Sequence, residues 1–252
     1  MKILCSNDDG VLAAGLDVLV RAASELGDVT VVAPDREQSA TSHSLTLHRP
    51  IRPVQLAENR YQLDGTPTDC VMLAIEALMP ERPDWVLSGI NHGMNMGEDV
   101  LYSGTVAAAM EGLMLGVPSI ALSFAGGEMR SEAEQLERHF GAVVDLLRWL
   151  TSLLVPTNTL FNVNFPPVFG TAVKGVKLTR LGRRHFTNSI RPMNDPWGRQ
   201  LYWIGAGSMS WTGGDDSDYR AVEDGYISVT PLHLDLTNKA MIDSAESWWH
   251  RL

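Results

Sequence analysis

The chain has 252 residues, 44% of them hydrophobic, with 30 acidic against 20 basic side chains and a formal net charge of −10. At that length one α/β core plus an elaboration is expected, able to bury a sizeable interior without covalent staples. The acidity, with a pI of about 5.1, excludes nucleic-acid polymers as partners, since binding them takes clustered Lys and Arg to release counterions; a small anionic substrate stays compatible, because a bound cation reverses the local sign.

The two cysteines, Cys5 and Cys70, each lie in an apolar run and form no Cys-x-x-Cys pair, so they are predicted to be structural thiols rather than a disulfide or zinc site. Acidic residues appear by Asp8, too early for the apolar core of a signal peptide, and no later run is long enough to span a bilayer. A soluble, cytoplasmic protein without a membrane partner is expected.

Lys2 to Ser6 reads as a short buried strand, Leu16 to Leu26 as an amphipathic helix stopped at Gly27, and Val29 to Ala33 as a second strand. Thr66-Pro67-Thr68 is a cap and first turn for a helix through Met79, followed by strand Trp85 to Leu87 and a Gly-rich loop. Ser103 to Leu115 has helical spacing, Ser119 to Phe124 is a strand, Ser131 to Leu154 a long amphipathic helix and Thr159 to Asn164 a further strand. This alternation predicts a doubly wound, mostly parallel α/β sheet over residues 1–166. After Pro166-Pro167 the texture changes: Val173 to Thr179, Arg184 to Ile190 and Arg199 to Ile204 read as strands of hairpins separated by Gly, Pro and Asn. Residues 167–236 are therefore expected to form a hairpin-rich extension, with strands returning to the body and with oligomer contacts. Residues 237–252 are expected to form a terminal helix whose Trp248 and Trp249 pack on the body or on another subunit.

Asn7-Asp8-Asp9-Gly10 follows the first strand, where open α/β sheets bind ligands. Adjacent carboxylates repel unless a cation, hydrogen bonds or protonation offsets them, so a hard metal ion is a natural partner; a solvated turn or helix cap is the plain alternative. Asp35-Arg36 opens a hydroxyl-rich segment, Gln38 to Ser44, predicted to reach the same sheet edge. Such segments are usually solvated connections, and His43 and His92 read as surface histidines. In Ser88 to Gly97 the glycines fall four apart, not in the dinucleotide pattern Gly-x-Gly-x-x-Gly, and the abundance of Gly and Asn suits an active-site loop. Ser103 caps a helix whose free amides, with the hydroxyls of Ser103 and Thr105, would also suit a phosphate.

With these blocks in view the sequence resembles the survival protein SurE family. The resemblance is carried by Ile3-Leu4-Cys5-Ser6-Asn7-Asp8-Asp9-Gly10, Val32-Ala33-Pro34-Asp35-Arg36, Gly65-Thr66-Pro67-Thr68-Asp69-Cys70-Val71 and Ser88-Gly89-Ile90-Asn91. The run from Asp99 to Gly112 and the block Gly225 to Leu232 extend it over nearly the whole chain. The resemblance implies a 5'-nucleotidase, a phosphoric monoester hydrolase acting on nucleoside monophosphates with one divalent metal ion, Mg²⁺ or Mn²⁺, per subunit. It implies Asp8, Asp9, Ser39 and Asn91 as metal ligands, all oxygen donors suited to hard cations. Asn95, Ser103, Gly104 and Thr105 would surround the phosphate. Protruding C-terminal hairpins and an exchanged C-terminal segment would join subunits into a homodimer or homotetramer. One departure is Asp216-Ser217-Asp218, where the family pattern reads Gly-Thr-Asp.

The mechanism this implies is attack by a metal-activated water, with Asp8 or Asp9 accepting its proton and the Ser103–Thr105 segment stabilising the phosphoryl oxygens. A covalent aspartyl-phosphate on Asp8 is a variant. Two other readings use the same residues: a response-regulator-like Mg²⁺-binding signalling domain and a nucleotide-binding module without turnover. The first lacks a phosphoacceptor Asp, since the strand at Leu87 continues Ser88-Gly89, and the chain is about twice a receiver's length.

Overall fold

The computed structural model describes residues 1–126, 132–156, 158–167, 173–187, 190–205 and 208–249; the side chains of Trp248 and Trp249, assigned above to packing, lie outside that description. With strands numbered along the chain, a nine-stranded sheet runs in the order β3 (Pro53–Ala57), β4 (Arg60–Leu63), β2 (Asp28–Pro34), β1 (Lys2–Ser6), β5 (Trp85–His92), β6 (Ser119–Phe124), β7 (Leu160–Phe165), β13 (Ile227–Leu232), β8 (Val176–Leu178). β3 runs antiparallel to β4 and β13 antiparallel to β7; the other pairings are parallel. After β1 the chain winds outward through β2 to β4, then returns to β5 on the other side of β1 and winds away again through β6 and β7. The gap between the carboxyl ends of β1 and β5 is therefore the topological switch point, where helices leave on opposite faces and a crevice opens.

Alternation along β1 sends Ile3 and Cys5 to one face and Leu4 to the other. On the first face they join Leu16 and Leu19 of α1 (Ala14–Ser24) and Val143 and Leu147 of α4 (Glu132–Ser152). On the second, Leu4 joins Cys70 and Val71 of α2 (Pro67–Leu73) and Ala108 of α3 (Gly104–Met114). Both cysteines are free and buried, as predicted, and burial raises both thiol pKa values.

The predicted helix through Met79 is α-helical only to Leu73 and then widens to a π-helical turn, Ala74–Leu78. Its start is a full capping box: the Thr66 hydroxyl accepts from Asp69 N while Asp69 accepts from Thr66 N. The loop predicted to begin after Leu87 is instead strand as far as His92, because Gly89, at φ 129°, takes up a register shift against β6 between Ser88 and Asn91. The single strand predicted over Arg184 to Ile190 is two, β9 (Arg183–Thr187) and β10 (Ile190–Asn194). β9 pairs with β12 (Ser208–Thr212) and β10 with β11 (Gln200–Ile204), making an arm of nested hairpins. α5 (Asp218–Glu223) precedes β13, and α6 (Lys239–Trp249) follows it. Among the described residues no helix is long and apolar enough to cross a membrane.

Candidate active site

The Asp-Asp turn leaves β1 at the switch point, pinned by Asn7 Nδ2 donating to Gly10 O at 3.0 Å. Asp8 is 4% exposed and sits at the N-terminus of α3. Its Oδ1 accepts from the Thr105 hydroxyl, and the side chain lies so close to Gly104 that a Cβ there would be 2.7 Å from Asp8 Cβ and 2.9 Å from Oδ2. Glycine at 104 is thus a condition for docking this carboxylate against the helix. Burial raises the Asp8 pKa; the Thr105 hydroxyl and the amides of Thr105 and Gly104 pull the other way without cancelling it. A carboxyl that burial holds toward its neutral form is one that a bound cation would return to the ionised form. Asp9 is less buried, accepts from His92 N at 3.1 Å and faces an adjoining hollow with Glu37 and Ile90.

A cavity of about 190 Å³ opens beside this pair, lined by Asp8, Ser39, Ala40, Asn91, Asn95, Asp99, Tyr102 and Ser103 among others. Of the predicted site residues, Asp8, Ser39, Asn91, Asn95 and Ser103 meet in it; Asp9, Gly104 and Thr105 stand behind or beside it. Asn91 commits its amide nitrogen to Gly93 O (2.8 Å) and His92 O (3.2 Å), leaving the oxygen as its remaining ligating atom. Ser39 donates to Glu37 at 2.6 Å, and its oxygen lone pairs remain. Among the described residues no cluster of three or more His, Cys, Asp or Glu is arranged to hold a metal. The available set is two carboxylates, a hydroxyl and an amide oxygen, which fits a hard cation rather than zinc.

Ser103 is the N-cap of α3, accepting from Val106 N at 3.1 Å, which leaves its O–H to donate into the cavity. Asn95 is held from three sides: its N donates to Asn164 Oδ1, its Nδ2 to Ser123 Oγ at 2.8 Å, and its O accepts from Asn162 and Asn164. Its Nδ2 carries a second N–H, which is available to a phosphate oxygen while the Ser123 bond is kept. Gly104 and Thr105, implied as phosphate neighbours, turn to Asp8.

The hydroxyl-rich segment does reach this edge, and it is tied down at each end. Gln38 N donates to Asp8 O, Ser42 N to Tyr102 O, and Thr46 N and Oγ1 to Asp69, the same carboxylate that caps α2. Ala40 (φ 58°) and Ser42 (φ 55°) are held in left-handed backbone that side chains disfavour, a local cost met by those bonds. His43, read as a surface histidine, is partly buried and its Nε2 lies 2.8 Å from Oε2 of Glu111, a buried residue of α3.

Sequence reasoning also missed Asp99 and Arg184. Asp99, in the 3₁₀ turn Gly97–Leu101, lines the cavity and pairs with Arg184 of β9. Arg184 N donates to Glu98 at 2.6 Å. The departure at Asp216-Ser217-Asp218 forms the start of a helix. Ser217 caps α5, and the fully buried Asp218 accepts from Gly97 N (2.9 Å), Gly182 N (2.8 Å) and Tyr219 N (2.8 Å).

The profile of the survival protein SurE family matches residues 3–188. The chain is 66% identical over 250 residues to the 5'-nucleotidase SurE of Gemmatimonas aurantiaca, covering 99% of each chain. It is 47% identical to the 5'-nucleotidase SurE of Vibrio cholerae, over 98% of this chain and 97% of that one. In three dimensions it superposes on the crystal structure of the SurE protein from Aquifex aeolicus with a TM-score of 0.84 at 40% identity, covering 99% of this chain and all of that one.

Proposed function

The chain belongs to the survival protein SurE family, and from that premise we propose that it is a metal-dependent 5'-nucleotidase, a phosphoric monoester hydrolase that splits nucleoside 5'-monophosphates into nucleoside and phosphate. The observation that carries this reading is the cavity at the β1/β5 switch point, where an acidic turn, an amide oxygen and a capping hydroxyl converge on a space sized for a phosphate and a cation.

We assign Asp8, Asp9, Ser39 and Asn91 as the ligands of one Mg²⁺ or Mn²⁺ per subunit, and Asn95, Ser103, Gly104 and Thr105 as the surround of the phosphate. When bound, the cation would supply Lewis-acid polarisation of the phosphoryl group and a lowered pKa for the attacking water. The residues supply the remainder. Gly104 and Thr105 fix the Asp8 carboxylate through a hydroxyl bond and close packing, so that it meets the reactants without reorganising. Ser103 donates to a phosphoryl oxygen while staying bonded to its own helix. Asp8 or Asp9 takes the proton of the water. Phosphate monoesters react so slowly unaided that placement and charge stabilisation must provide nearly all of the acceleration.

The same reading includes a homodimer or homotetramer in the cytoplasm, with residues 1–166 as the body, 167–236 as an extension whose strands β8 and β13 return to the body's sheet, and 237–252 as the terminal helix. Support for assembly comes from the arm, where Ile190, Met193, Leu201, Tyr202, Trp203 and Ile204 all stand exposed on a two-stranded ribbon. Phosphate release from nucleoside monophosphates by the purified protein with Mg²⁺ or Mn²⁺, and its absence in chelator, tests the activity. A protein that binds the nucleotide and releases no phosphate would reduce it to a binding module.

A further inference from the structure

The cavity has a charge problem that the family assignment does not address. A phosphate monoester brings close to two negative charges near neutral pH. A divalent cation held by Asp8 and Asp9 would balance those two carboxylates, and the N-terminus of α3 adds about half a positive charge. Yet the wall also contains Asp99, and no Lys or Arg is among the residues lining the cavity. A third carboxylate there would repel the substrate.

We propose that Arg184, delivered by the hairpin arm, is the charge-compensating residue of the phosphate site: it neutralises Asp99 from behind the wall and thereby sets the affinity for the substrate's phosphate. Arg184 Nη1 pairs with Asp99 Oδ1, and the two side chains are only 17% and 16% exposed, so the pairing is shielded from solvent and weakly screened. The guanidinium is placed by the backbone rather than by a flexible reach. Arg184 N is bonded to Glu98, Gly182 N is bonded to Asp218, and Asp218 also binds Gly97 N at the start of the turn that carries Asp99. Gly97 packs so closely that a Cβ would meet Gly182 O at 2.8 Å and the Trp211 ring at 3.0 Å. Arm and cavity wall are therefore in fixed register. The neighbouring charges are Glu98, which takes the Arg184 amide and also attracts its guanidinium, and Arg183 and His185, which act on Glu98 through space. Arg184 is not among the residues that line the cavity and acts on it through Asp99, so it is a positioning residue and not a catalytic one.

This inference rests on the phosphatase reading, and the experiment separates the two. KM and kcat for a nucleoside monophosphate and the inhibition constant of inorganic phosphate are measured for the Mn²⁺-loaded oligomer and for Arg184→Met, Arg184→Lys and Arg184→Met with Asp99→Asn, each with its melting temperature. Arg184→Met is expected to raise KM and the phosphate inhibition constant about tenfold or more, since removing one partner of a shielded pair leaves the other uncompensated, with kcat changed by less than about threefold. Arg184→Lys, which keeps the charge, should fall between. Adding Asp99→Asn should return both constants to within about threefold of the parent, although the arm's side-chain link to the wall is still missing. A double variant as weak as the single one would mean that Arg184 only holds the arm in place and would overturn the proposal, as would an unchanged KM in Arg184→Met. If Arg184→Met does not fold, Asp99→Asn alone decides: inorganic phosphate should inhibit more tightly, and equal or weaker inhibition overturns the proposal. A parent protein that releases no phosphate and is not inhibited by phosphate fails the underlying reading instead.

Discussion

The carboxyl edge of the parallel sheet and the hairpin arm both lie outside the regular core, but they carry their polar and apolar groups in opposite ways. At the sheet edge polar side chains are buried and bonded: Asp8, Asn95, Ser103 and Thr105 are each less than about a tenth exposed and each has a named partner. On the arm apolar side chains are exposed, with Trp203 at 64% and Ile204 at 80%. Buried polar groups cost stability unless satisfied and exposed apolar ones cost solubility, so each region departs from the economical arrangement. A site for a charged ligand explains the first departure, and the proposed subunit contact would account for the second.

The largest effect that would break this contrast is at the acidic turn. Asp8→Asn and Asp9→Asn should each lower turnover by at least about 10³-fold, while the melting temperature of the metal-free protein holds or rises as charge repulsion is relieved. Near-native turnover at limiting metal in either variant would remove that residue from the ligand set.

Next in size is Ser103→Ala. Loss of one donor to the transition state costs about 2.7–4 kcal/mol, and loss of the helix cap about 1 kcal/mol of stability. Turnover and thermal melting separate the two, and damage confined to melting would make Ser103 a cap only. On the arm the expectation reverses. Trp203→Ser with Ile204→Ser should shift light scattering toward smaller species, each side chain contributing about 1.5–3 kcal/mol when covered, without lowering the melting temperature of the dissociated chain. An unchanged mass would show that the arm is not an assembly surface.

The smallest effect lies inside the body. His139 of α4 donates from Nε2 to Pro166 O at 3.0 Å, between the rings of Phe124 and Phe165, and burial lowers its pKa from 6.5. The unfolded chain therefore takes up a proton that the folded chain refuses. This contribution is full above pH 6.5 and is lost as pH falls below it, by up to about 1.4 kcal/mol per pH unit. His139→Gln should flatten the dependence of unfolding free energy on pH between 6.5 and about 5, before most carboxylates titrate. The same slope in both proteins would assign it to other groups.

The body was legible in the sequence because its signals are local and strong. β1 and β6 fall where the apolar runs put them, and Ser103 and Thr66 cap the helices they were expected to cap. β3 and β4 were not legible: they are a largely exposed edge pair whose turn depends on Asn59 at φ 55°, and neither strand alternates clearly. The extension of β5 to His92 was hidden by Gly89, which reads as a loop former and acts as a bend within a strand. At the site, position after β1 identified the acidic turn, and resemblance supplied Ser39 and Asn91. The links from His43 to Glu111 and from Asp99 to Arg184 span 68 and 85 residues, and no periodicity or motif reports pairings at such separations.

Asp218 has a consequence for how the molecule opens. One carboxylate holds amides from three stretches of chain, at Gly97, Gly182 and Tyr219, and it does so without exposure to water. Releasing any one of them leaves a buried carboxylate short of a partner, at a cost of about 1–3 kcal/mol, so the three openings are expected to be coupled. In the language of native-state exchange they form a single cooperative unit, in which the turn beside the cavity and the base of the arm share one opening free energy. Motion at the root of the arm is thereby motion of the cavity wall.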